Sequence, residues 1–161
     1  MKIAIIMGSD SDYSVVEKGE KILKDFGIEV QTRVISAHRT PLRAMEFAQK
    51  AEENGFEVII GAAGKAAHLP GVLAAFTPLP IIGLPIKSST MDGLDSLLSI
   101  VQMPKGIPVA TVAINGAENA ALLAIQILSV KYPNLREKMK QYRRGMEQEV
   151  IAKDEKFQKN A

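Results

Sequence analysis

Cysteine is absent from this chain of 161 residues, which excludes disulfides, thiolate nucleophiles and cysteine-based zinc sites. Tryptophan is absent as well and aromatic residues make up only 5% of the sequence, so the core has to be built from aliphatic residues and methionine. No apolar run approaches the roughly 18 residues that a membrane-spanning helix needs. The apolar start, Met1–Met7, is too short for a signal peptide, and Gly8 interrupts it. We therefore expect a cytoplasmic protein whose first segment is a buried strand.

A strong charge of either sign is missing too. The net charge is +2 at pH 7 and no basic run is interleaved with aromatic residues, so nothing indicates nucleic acid as a partner. The two histidines lack metal-ligand spacing, and Asp10 and Asp12 alone make a poor metal site. The composition, 47% hydrophobic and 24% charged, is ordinary for one globular domain that buries a core.

Short apolar runs alternate with helical patterns along the chain. The runs predict strands at 2–7, 29–35, 57–60, 80–84 and 108–113. Helical spacing and terminal residues predict helices at 14–26, 41–54, 68–76, 93–101 and 117–130. Apolar strands bounded by helices are typical of a parallel sheet covered on both faces. We predict an α/β fold of the flavodoxin-like kind, with three layers (α/β/α), a doubly wound parallel sheet and a single domain over 1–161.

The end of the chain, 133–158, predicts one long amphipathic helix after an α/β core at 1–132. Charged residues fill most positions, and apolar residues recur at steps of three or four: Leu135, Met139, Tyr142, Met146 and Val150. Such a helix either lies on its own domain or extends onto a neighbouring subunit. The pattern fits both arrangements.

Ligands of open parallel sheets bind at the carboxyl ends of the strands, so we expect the chemistry in the loops that follow strands. In the first such loop, Gly8 lets the backbone approach a ligand, and Ser9 and Ser11 suit a phosphate. Asp12 suits ribose hydroxyls. Capping of the next helix by Ser11 or Asp12 explains the same residues. The loop lacks the Gly-x-Gly-x-x-Gly fingerprint of dinucleotide sites.

The second loop, 36–41, contains His38 and Arg39. A histidine titrates near neutral pH, which suits general acid–base catalysis, and an arginine can bind phosphate or carboxylate through two N–H groups. A histidine beside a helix start is otherwise a surface or capping residue. Thr40 is the expected N-cap of the helix that Pro41 begins.

The third loop, 61–71, combines small residues with the second histidine, His68. Gly64 and Lys65 do not form a P-loop, because Ala66 stands where a Ser or Thr would hold magnesium. His68 fits a structural bond to a backbone carbonyl as well as it fits catalysis. A fourth polar stretch, 88–104, is explained by a loop and a helix.

Five motifs in a fixed order resemble those of one enzyme family. They are Gly8-Ser9-Asp10-Ser11-Asp12, Ser36-Ala37-His38-Arg39-Thr40-Pro41, Ala66-Ala67-His68-Leu69-Pro70-Gly71, the segment 95–104 and the segment 119–124. Together they resemble the class I N5-carboxyaminoimidazole ribonucleotide mutases, also called the catalytic subunit of phosphoribosylaminoimidazole carboxylase. The resemblance covers roughly residues 2–150.

The resemblance implies an isomerase of de novo purine (IMP) biosynthesis that acts on a small ribonucleotide. It implies a homo-octamer with active sites shared between subunits, no cofactor, and neither nucleic acid nor membrane as a partner. By resemblance, His38 is the catalytic acid–base, Ser9 and Arg39 bind the phosphate, and Asp12 binds the ribose. The other implied substrate-binding residues are Gly8, Ser11, Ser36, Ala37, Gly64, Lys65, Ala66, His68 and Leu69.

Two positions depart from the family pattern. The family usually has Ala-Gly-Ala-Gly-Gly before the third motif, whereas this chain has Ala62 and Lys65 at two of the glycine positions. A Cβ there can block a positive φ or fill space that the substrate ring needs. Three explanations of Lys65 stay open: it lies on the surface, it contacts the substrate carboxylate, or it is an engineered change.

The implied mechanism is loss of CO2 from a carbamate inside a dry, closed cavity, followed by addition of CO2 at ring C4 and removal of the C4 proton by His38. A class II-type carboxylase that uses CO2 directly is one alternative, although such enzymes carry Lys in place of Arg39 and lack the His-Leu-Pro-Gly stretch. A non-catalytic flavin- or nucleotide-binding module is another.

Overall fold

The computed structural model of the chain describes residues 1–89 and 91–160. Thr90, inside the polar stretch predicted at 88–104, and Ala161 lie outside the described residues. The strands are β1 Lys2–Met7, β2 Glu29–Val34, β3 Val58–Gly64, β4 Ile81–Ile86 and β5 Ala110–Thr111. The helices are α1 Tyr13–Asp25, α2 Pro41–Gln49, α3 Leu69–Ala74, α4 Leu94–Val101, α5 Ala117–Leu128 and α6 Pro133–Asn160.

The strands form one parallel sheet in the order β2-β1-β3-β4-β5. This is the doubly wound, flavodoxin-like order, and it reverses direction between β1 and β3. β1 and β4 are buried almost throughout, as strands covered on both faces should be, whereas the edge strand β2 is mostly exposed. The predicted α/β, flavodoxin-like fold is confirmed.

Two compact units divide the chain, Met1–Ala124 and Ile125–Ala161. The first contains the whole sheet and a core cluster that includes Ile6, Phe47 and Leu73. The second contains the end of α5 and the long helix α6, which was predicted at 133–158. In α6, Leu135 and Met139 are buried and every side chain described from residue 143 onward is exposed. The organisation as a single domain stays a prediction.

The predicted boundary of β3 is wrong, because the strand continues to Gly64 instead of ending at Ile60. The small residues after Ile60 were expected in a loop, yet Gly61 to Gly64 pair in register with β4. A Cβ on Gly61 would lie 3.2 Å from the Pro70 Cα, and one on Gly64 would lie 3.2 Å from the Ile86 carbonyl oxygen. These glycines therefore permit close packing within a strand.

Among the other elements, α2 and β5 fall furthest short of their predicted lengths. α2 ends at Gln49 rather than at residue 54, because the following residues form turns that end at Gly55 with a φ of 79°. β5 contains only Ala110 and Thr111, which pair with Ile82 and Gly83 of β4. Within the described ranges, no helix is long and apolar enough to cross a membrane.

Candidate active site

A pocket of about 700 Å³ lies among the loops that follow β1, β2, β3 and β4. It opens at the carboxyl edge of the sheet, where the strand order reverses and where such sheets bind ligands. The pocket is lined by every residue predicted for the site: Gly8, Ser9, Ser11, Asp12, Ser36, Ala37, His38, Arg39, Gly64, Lys65, Ala66, His68 and Leu69. The structure therefore brings these residues together, and their individual roles stay predictions.

The first loop is held by its own hydroxyl groups. The Gly8 N–H donates to the Ala62 carbonyl at 3.0 Å, which joins the loop to β3. Ser9 caps the turn that precedes α1, since its Oγ accepts from the Ser11 N–H at 3.3 Å. The Asp12 side chain makes no capping bond, and the Ser11 hydroxyl donates to the Ser9 Oγ at 2.9 Å. Asp12 therefore occupies the N-cap position of α1 without a side-chain capping bond, and the capping bond of this loop comes from Ser9.

Asp12 is the buried carboxylate of the pocket, with 8% of its surface exposed. Burial raises the pKa of Asp12, because desolvation disfavours the charged form. Hydrogen bonds from the Ser11 side chain and the Ser9 backbone lower the pKa by less. A carboxylate that has lost part of its hydration gains from donors such as ribose hydroxyls.

The second loop is closed by Thr40, and Arg39 is held by Ser36 and Gly8. The Thr40 Oγ1 accepts from the Ser36 N–H at 3.1 Å and donates to the Ser36 carbonyl at 2.9 Å. Thr40 occupies the N-cap position of α2 as predicted, but its hydroxyl makes no capping bond because it closes this loop instead. The Ser36 Oγ accepts from the Arg39 N–H at 3.1 Å, and the Arg39 Nη2 donates to the Gly8 carbonyl at 3.2 Å. The guanidinium therefore lies against the first loop.

The two histidines of the chain bond to each other. The Nε2 of His38 lies 2.9 Å from the Nδ1 of His68, and the rings meet edge to face at 81°. One of these nitrogens must carry the proton and the other must accept it. The His68 Nδ1 thus pairs with His38 rather than with a backbone carbonyl. The pair offers one shared proton at the pocket wall.

A dry, closed cavity is not formed by one chain. His38 is exposed, and the pocket opens to solvent among the described residues of a single copy. An enclosed site would therefore need further groups, outside the described residues of one chain, to cover the pocket.

The two departures from the family pattern behave differently. Ala62 is fully buried in a regular stretch of β3, paired with Met7 and Leu84, so a Cβ is accommodated there. Lys65 has a φ of 54°, the left-handed conformation that a glycine would adopt freely. The side chain at residue 65 therefore does not prevent the positive φ.

Four further residues line the pocket and were missed from the sequence: Ala63, Lys87, Ser88 and Ser89. Lys87 follows β4, and its backbone N–H donates to the Asn115 Oδ1 at 2.8 Å. For Lys87, Ser88 and Ser89 the available signal was their place after β4, because the carboxyl ends of neighbouring strands share one edge of the sheet. No group of three or more potential metal ligands occurs in 1–89 or 91–160.

These features define a class: α/β proteins of flavodoxin-like fold whose strand-end loops form a pocket lined by hydroxyl groups, an arginine and a histidine pair. A family model described as AIR carboxylase matches residues 2–149, and the chain belongs to this family. The family predicted from the five motifs is thereby confirmed.

Individual relatives agree with the family match. The chain is 64% identical over 145 residues to an N5-carboxyaminoimidazole ribonucleotide mutase of Pyrococcus abyssi, covering 90% of this chain and 83% of the relative. It is 55% identical over 157 residues to an enzyme of the same name from Thermotoga maritima, covering 98% and 92%. The crystal structure of Treponema denticola PurE superposes with a TM-score of 0.88 at 33% identity, covering 96% of this chain and 97% of that one.

Proposed function

We propose that this chain is an N5-carboxyaminoimidazole ribonucleotide mutase, an isomerase of purine biosynthesis. It converts N5-carboxyaminoimidazole ribonucleotide to 4-carboxyaminoimidazole ribonucleotide. The observation that carries the proposal is the hydrogen-bonded pair of His38 and His68 beside Arg39 in one pocket. Relatives of high identity that bear the mutase name support it.

The pocket divides into parts that suit the parts of this substrate. Ser9, Ser11 and Arg39 offer hydroxyl and guanidinium donors for a phosphate. Asp12 accepts from the ribose hydroxyls. The aminoimidazole ring then extends toward the histidine pair.

His38 gives up one proton in the first half of the reaction and takes one back in the second half. Protonated His38 gives a proton to the exocyclic nitrogen as the N–CO2 bond breaks, which leaves aminoimidazole ribonucleotide and CO2. The C4 carbon then attacks CO2, and His38 takes the C4 proton as the ring becomes aromatic again. Retention of CO2 beside the ring turns a bimolecular step into an effectively unimolecular one.

The variant His38→Asn tests the proposal. We expect turnover to fall by about 100- to 10,000-fold, the usual contribution of a general acid–base, with the fold retained. Conversion of the N-carboxylated substrate is followed by absorbance, and circular dichroism with thermal melting is the folding control. Near-normal turnover in a folded variant would remove His38 from the mechanism.

The choice of substrate distinguishes the mutase from the alternative, a class II-type carboxylase. The mutase converts the N-carboxylated ribonucleotide without added bicarbonate, whereas a direct carboxylase requires unmodified aminoimidazole ribonucleotide and CO2. Arg39 and the run from His68 to Gly71 favour the mutase by the family pattern. Faster turnover of the unmodified ribonucleotide with bicarbonate would favour the carboxylase.

We further propose a homo-octamer whose active sites are closed by neighbouring copies. The support is the exposure of His38 in one chain, together with an exposed apolar row on α4 formed by Leu94, Leu98 and Val101. In the same helix, Asp95 Oδ1 is buried without a hydrogen-bond partner among the described residues. A second copy that packs on α4 would cover the apolar row.

The cytoplasmic location of the protein stays a prediction, and cell fractionation tests it.

A further inference from the structure

Lys65 adopts a backbone conformation that lysine rarely takes. Its φ is 54°, and it directly follows Gly64, which ends β3. The left-handed region brings a Cβ too close to the next carbonyl oxygen, whereas a glycine is free of this strain. Residues held in such conformations cluster at binding and active sites, and Lys65 lines the pocket, so its side chain is a candidate for a role there.

The Lys65 ammonium has no anionic partner within the described residues, and its side chain is exposed. Each of the other two Lys or Arg side chains of the pocket has a partner or an assigned role, since Arg39 is the proposed phosphate ligand. Lys87 forms an ion pair with Asp92 at 3.1 Å, and Arg39 donates to a backbone carbonyl of the first loop. Asp12 is the one carboxylate among the described residues that line the pocket. Lys65 is therefore the cation available to a second anionic group of a ligand.

The position of Lys65 fits the far end of the ribonucleotide. Arg39 follows β2 and Lys65 follows β3, with β1 between them, so their strands are about 10 Å apart. In the substrate, the ribose separates the phosphate from the ring. A phosphate bound at Arg39 thus directs the ring and its carboxylate toward His68 and Lys65, which lie three positions apart.

We propose that Lys65 binds the migrating carboxylate and makes the pocket select carboxylated ribonucleotides over aminoimidazole ribonucleotide. The inference rests on the proposed function. Substrate and product both carry this carboxylate, and the intermediate has released it as neutral CO2. The attraction to Lys65 therefore distinguishes the two carboxylated ligands from the intermediate.

Calorimetry of Lys65→Met and Lys65→Gly tests the proposal. We expect the Kd of the 4-carboxylated product to rise about tenfold, as for loss of a charged hydrogen bond, and the Kd of aminoimidazole ribonucleotide to change less than about twofold. The glycine variant should melt no lower than the wild type because it relieves the positive φ. Lys105→Met, at an exposed lysine outside the pocket, is the matched charge control and should leave both Kd values unchanged.

An equal loss of affinity for both ribonucleotides in the Lys65 variants, or no loss for either, would overturn the selectivity. The wild type separates this failure from failure of the proposed function. If the wild type binds both ribonucleotides but does not interconvert the carboxylated forms, the mutase assignment is overturned. The Kd values of the Lys65 variants still test the selectivity in that case, because they do not depend on turnover. A wild type that binds neither ribonucleotide overturns both.

Discussion

At the scale of single residues, hydrogen bonds from side chains to backbone carbonyls hold the loops of the pocket in place. Some of these bonds join two loops, and others lie within one loop. Arg39 reaches the Gly8 carbonyl, and Thr40 closes the loop on Ser36. Each such bond fixes a donor that would otherwise have to be ordered when the ligand binds. Because these groups are already ordered, less conformational entropy is lost when a ligand binds.

Asp12 gives a prediction about pH. Because burial raises its pKa in the folded state above the unfolded value of 3.8, the group favours the folded state fully below that value and loses this contribution as the pH rises through the raised pKa. We expect Asp12→Asn to melt higher than the wild type at neutral pH, with the difference vanishing in acid. Scanning calorimetry of both proteins, from neutral pH down to a pH below 3.8, measures this difference in melting temperature. A wild type that is the more stable form at neutral pH would contradict desolvation as the dominant cause.

At the scale of elements, the sheet and α4 approach closely at Gly83 in β4. A Cβ built on Gly83 would lie 2.3 Å from the Ile100 Cγ2 and 2.9 Å from the Val109 Cγ1. Ile100 is fully buried, so it has little room to move. The absence of a side chain at residue 83 therefore sets the distance at which α4 packs on β4.

The variant Gly83→Ala should lower the free energy of unfolding by about 1–3 kcal/mol, the usual effect of overpacking. Denaturant titration measures the change. Gly145→Ala is the matched control, because a Cβ there meets nothing within 4 Å and the residue lies inside α6. That control should stabilise the helix by up to about 1 kcal/mol. Equal stability of Gly83→Ala and the wild type would show that α4 can shift without cost.

At the scale of the whole molecule, exposed apolar side chains remain on both compact units. Leu98 on α4 is 47% exposed, and on α6 Val150 is 64% and Phe157 is 74% exposed. Apolar rows on helix faces are typical of surfaces that a partner covers. The open pocket and these rows together favour assembly of several copies.

The variant Leu98→Glu tests assembly. We expect sedimentation to give eight chains for the wild type and smaller species for the variant, because a carboxylate cannot be buried unpaired in an apolar contact. Turnover should fall with the assembly. Lys18→Glu on the exposed face of α1 introduces the same side chain and should leave the mass unchanged. A wild type that is monomeric and fully active would contradict both the octamer and the shared site.

The sequence by itself determined the alternation of strands and helices, the parallel sheet, the edge of the sheet that carries the pocket, and the family. These follow from local features: apolar runs such as Lys2–Met7, which β1 matches residue for residue, and motifs whose residues are adjacent in the chain. The strand-end rule then placed the loops of His38 and His68 together.

Only the tertiary structure decided that the two imidazoles, 30 positions apart, bond at 2.9 Å, that Lys87 joins the pocket, and that β3 continues through Gly64. The physical reason is that each of these depends on a partner from another strand or loop. Local propensity defines where a segment begins to be a strand, but pairing with β1 and β4 defines where β3 ends. Hydrogen bonds between loops exist only once the order of the strands has brought those loops to the same edge.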